Sequence, residues 1–106
     1  MAAKYSNYET VAASQTAQPL GTTGTIGDRL ERLIVVPATT SPGVVTVIDG
    51  VSPATPVSFT AFTGGATSVA TLTPFVIEVG AVSVIAGGWR ITTGANVSVV
   101  AIGKFI

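Results

Sequence analysis

The sequence predicts an all-β fold: an antiparallel β-sandwich or jelly-roll-like barrel of about seven short strands, preceded by an extended N-terminal arm. Three observations predict it. Short runs rich in Val, Ile and Thr alternate apolar with polar residues. Gly, Pro and Asp turn signals separate those runs at roughly eight- to twelve-residue intervals. No segment sustains a helical period. At 106 residues the chain has length for a single core.

Residues 1–27 are small and polar, with Lys4 and Glu9 as the charged side chains. They read as an extended arm in which Tyr5, Tyr8, Val11 and Leu20 are spaced anchors for a neighbouring subunit. The compact domain is expected over 28–106. It opens at 28–36, where Asp28 and Glu31 imitate a capping box and Leu30, Leu33 and Ile34 fit a helical turn. The β-branched run Ile34, Val35, Val36, stopped by Pro37, decides for a strand. A strand over 44–49 ends at the turn pair Asp49 and Gly50, and another over 57–62 alternates until Gly64 and Gly65. In 71–79, Phe75, Ile77 and Val79 share a face, and Pro74 forces the strand to begin after it or to lie at an edge. Strands at 82–85 and 89–93 flank Ala86, Gly87 and Gly88, the expected loop of a tight hairpin. The last strand, 96–105, sets Val97, Val99 and Ala101 against Asn96, Ser98 and Val100.

Charged residues are 9% of the chain, its net charge is zero and its mean hydropathy is +0.65. A free domain of this size normally keeps itself dispersed with a surface that is roughly a quarter to a third charged. Such a surface is therefore expected to be covered, by lipid or by protein. Every long uncharged stretch is broken by Pro, Gly or Thr, so a spanning helix is not expected, and the polar first residues do not form a secretion signal. Protein partners are the expectation, with self-association into a homo-oligomer, a trimer. Basic residues are scattered singly, so nucleic acid is not an expected partner.

The chain has no Cys and no His. That removes thiolate chemistry and the commonest general base and metal ligand, so no metal, cofactor or enzymatic activity is expected. Carboxylates remain as candidates for acid–base work. Asp28 and Glu31 lie near Arg29 and Arg32, where solvated ion pairing accounts for them, and Asp49 belongs to a turn. Gly21, Gly24 and Gly27 form G-x-x-G-x-x-G, which is not a dinucleotide or phosphate-loop pattern. Asn96-Val97-Ser98 has the form of a glycosylation sequon, read here as Asn beginning a strand after a Gly turn. Trp89 is expected in the core and Arg90 as an outward contact. An alternative function, a small carbohydrate-binding module, would use Trp89, Tyr5 or Tyr8 as stacking platforms.

Three stretches carry a family resemblance: GDRLERLIVVP at 27–37, GVVTVIDG at 43–50 and GGWRITTGANVSVVAIGKF at 87–105. Together they resemble small virion structural proteins of tailed bacteriophages. The resemblance implies a β-sandwich or jelly-roll subunit repeated on the particle, a capsid decoration or cement protein. Such subunits are often trimers over capsomer junctions, with an arm reaching their neighbours. The implied partners are the major capsid protein or other virion subunits, and the implied location is the virion, after synthesis in the host cytoplasm. A tail, baseplate or head-fibre component would share these features.

Overall fold

The computed structural model of the chain describes residues 7–22, 26–50 and 56–106. It contains eight strands in two antiparallel sheets. They are β1 (Asn7–Val11), β2 (Gln18–Pro19), β3 (Arg29–Pro37), β4 (Val45–Asp49), β5 (Val57–Phe62), β6 (Phe75–Val82), β7 (Trp89–Thr93) and β8 (Val97–Lys104). One sheet runs β1-β8-β3-β6 and the other β2-β7-β4-β5. β1 pairs with β8, β2 with β7, β3 with β6 and β4 with β5, so the pairings are nested like one long hairpin. Rolling that hairpin sets β8 beside β3 and β7 beside β4. The result is a β-sandwich with the strand order of a jelly roll.

The core lies between the sheets. β4, β7 and β8 alternate strictly between buried and half-buried positions, sending Val45, Val47, Ile91, Val97, Val99 and Ala101 inward. β3 breaks that period. Its register shifts between Leu30 and Arg32 against both neighbours, so Leu30 and Leu33, three residues apart, both reach the core. The helix-like spacing of those leucines is thus the signature of a bulged strand. β6 starts after Pro74 and lies at a sheet edge.

Two expectations are corrected. Residues 7–22 are not an arm. They form β1 and β2, and Val11 and Leu20 are fully buried in this chain's own core. The chain from Gln15 to Leu20 is stitched along β7. Gln15 N donates to Thr93 Oγ1 at 3.0 Å, Ala17 N to Thr92 Oγ1 at 2.8 Å and Leu20 N to Trp89 O at 2.9 Å. The boundary expected at Gly27 therefore falls within the sandwich; with β1 and β2 added and no separate strand at 82–85, where β6 ends at Val82, the described residues form eight strands rather than about seven. The expected hairpin around Ala86, Gly87 and Gly88 is the second correction. β6 and β7 belong to different sheets, so the segment from Ser83 to Gly88 crosses the end of the sandwich.

Candidate functional site

A buried polar cluster fastens that end. The Asp49 carboxylate, at the end of β4, accepts from Ser83 Oγ at 2.6 Å and from Val84 N at 3.0 Å. The Asp28 carbonyl accepts from Ser83 N at 2.8 Å and from Trp89 Nε1 at 3.0 Å, while its carboxylate accepts from Ile106 N. Asp28 is 2% exposed, so its surroundings are buried where solvated ones were expected. These contacts are all internal to the fold. Trp89 is in the core as expected, 4% exposed, and offers no face on which a sugar ring could stack.

The remaining expected site residues are dispersed. Tyr5 lies outside the described residues. Arg90 is half-buried on the outer face of the second sheet, where its Nη1 donates to Ala17 O at 3.3 Å; its contact is with this chain's own β2 approach. Of the G-x-x-G-x-x-G glycines, Gly24 lies outside the described residues. Gly21 has φ 81°, and a Cβ there would meet the Ile106 backbone, a packing reason for glycine. Asn96 lies in the turn before β8 at φ 62°, a conformation Asn tolerates. Among the described residues no group of three or more acidic side chains could hold a metal ion. No described helix is long and apolar enough to cross a membrane.

Tyr8 is 68% exposed, on the outer face of the β1-β8-β3-β6 sheet. Register builds that face in rows. Tyr8 lies opposite Ile102, which faces Arg32, which faces Glu78. In the next row Thr10, Val100, Ile34 and Val76 stand side by side, and Ser98 with Val36 follow. Val76 is 55% exposed. Asn7, Tyr8, Ile34, Val100 and Ile102 line a shallow hollow of about 350 Å³. At the rim Arg32 Nε and Glu78 Oε2 form an ion pair at 3.0 Å.

The other sheet turns a different surface outward. There Thr46 stands between Thr92 and Thr60, and Ile48 between Arg90 and Ser58. An antiparallel sheet with one buried face normally alternates apolar-in with polar-out. The second sheet largely obeys that rule. The first also carries apolar residues outward at the middle of its two central strands, Val100 and Ile102 of β8 beside Ile34 and Val36 of β3, flanked by Arg32 and Ser98, and contiguous apolar surface of this kind marks a contact site. Sequence reading singled out Tyr8 but missed Ile34, Val100, Ile102 and Val76, because only the cross-strand register gathers them.

Comparison with known proteins gives no relative for this chain: no family model, curated protein or solved structure matches it.

Proposed function

We propose that this chain is a structural subunit that works by packing into a larger protein assembly, a capsid decoration subunit of a tailed-phage particle. The observation that carries the reading is the apolar outer face of the β1-β8-β3-β6 sheet, set against a hydroxyl-rich face on the other sheet. Cementing requires no bond chemistry, only a stiff sandwich and buried area. At ~25 cal/mol per Å² of apolar surface, covering a few hundred Å² yields several kcal/mol before association costs, and repetition over a particle multiplies it. The low charge and zero net charge fit a surface that spends its life covered. The phage particle itself enters through the sequence resemblance.

Quantitative mass spectrometry of purified particles tests the reading. A copy number on the scale of the shell supports decoration, a tail-like copy number moves the chain to the tail or baseplate, and absence from particles overturns both. Rebinding of purified chain to particles lacking it is expected to fail for Val100→Glu and to persist for Thr46→Glu.

A further inference from the structure

We infer that the outer face of the β1-β8-β3-β6 sheet packs against the same face of a second copy of this chain, sheet on sheet, about a two-fold axis running along the strands between β8 and β3. The inference rests on reading that face as a contact surface and names its occupant as another copy, so that pairs closed through this face are the unit that would engage the particle.

Row order makes the face self-complementary. A two-fold axis along the middle of the sheet exchanges β8 with β3 and β1 with β6. Val100 of each copy then meets Ile34 of the other, closing the apolar centre. Tyr8, at one end of its row, meets Glu78 at the other end, which sets a phenolic donor against an exposed carboxylate. Ile102 meets Arg32, whose aliphatic stem covers apolar surface while its head reaches the rim. A two-fold contact needs one patch complementary to itself, and this row order supplies it. The hollow beside Tyr8 lies over β8, opposite β3 of the other copy, so Ile34 is the side chain placed to enter it.

Area agrees. Four strands about 4.8 Å apart and up to about 27 Å long present roughly 500 Å² per copy, so the pair reaches the ~1,000 Å² that a specific interface needs. The chain's five basic and five acidic residues cancel, so neither copy carries a net charge; at one end of the face the axis sets Lys104 of each copy beside Arg29 of the other, a like-charge contact at the rim.

Sedimentation velocity on the full chain, from sub-micromolar to high micromolar concentration, tests this. A concentration-dependent dimer is expected. Val100→Glu and Ile34→Glu place unpaired carboxylates in the closed face and are expected to weaken the dimer roughly 100-fold. Their circular dichroism should be native, since both side chains point away from the core. Thr46→Glu, on the opposite face, should leave the dimer unchanged. A wild-type chain that stays monomeric throughout overturns the inference, as does a trimer, or a dimer indifferent to both face variants. If the chain is monomeric and Val100→Glu still abolishes particle binding, self-packing falls while the assembly reading stands.

Discussion

Trp89 is held by its ring in the core and by its indole N–H on the Asp28 carbonyl, so one side chain ties β7 to the entry of β3. Trp89→Ala is expected to cost about 3–5 kcal/mol, read as the fall in unfolding free energy in urea. In a domain at the low end of ordinary stability, about 5 kcal/mol, that removes most of the margin. Asp49→Ala removes the acceptor of the Val84 amide and leaves the buried Ser83 hydroxyl only its 3.3 Å contact with Ile85 O, with an expected cost of about 1–3 kcal/mol, and Asp49→Asn should cost less because an acceptor oxygen remains. Gly103 is glycine for a steric reason. A Cβ there would run into the Arg29 carbonyl across the β3–β8 ladder, so Gly103→Ala is expected to cost about 1–3 kcal/mol in the same titration.

At the scale of elements, β1 and β2 change what a truncation should do. Removing residues 1–26 takes Val11 and Leu20 from the core and uncovers β8 and β7 along one side. The shortened chain is expected to lose native circular dichroism and its cooperative thermal transition, whereas an independent arm would leave both intact. The strands that sequence made legible are those whose own side chains alternate: β4, β7 and β8 each bury every second residue, so period two was visible locally. β1 and β2 were hidden because each contributes little apolar surface and their connection is held by Thr92 and Thr93, far along the chain. The crossing segment looked like a hairpin because Gly87 and Gly88 signal a turn without saying which sheet the next strand joins. The contact face was illegible for a related reason. Val100 and Ile34 belong to different strands, and each looked like an ordinary outward residue until β8 was laid beside β3.

For the whole molecule, the nested pairing sets the order of difficulty in folding. β4 with β5 is a comparatively local pair, whereas β1 with β8 joins opposite ends of the sequence. Sandwiches dominated by such distant pairings fold in milliseconds to seconds. Stopped-flow refolding followed by Trp89 fluorescence is expected to fall in that range; microsecond folding would mean that local structure governs the barrier.

The same nesting determines how the subunit bears mechanical load. Asn7 lies opposite Gly103 and Val11 opposite Val99, so β1 and β8 run antiparallel and bring the start of β1 beside the end of β8. Tension applied through both ends would pull across the β1–β8 ladder and strip its hydrogen bonds one after another, from the Asn7 end inward, instead of shearing them all at once. A subunit tethered through its termini would therefore peel at low force, whereas one gripped across its broad sheet face would carry the load through the whole sandwich.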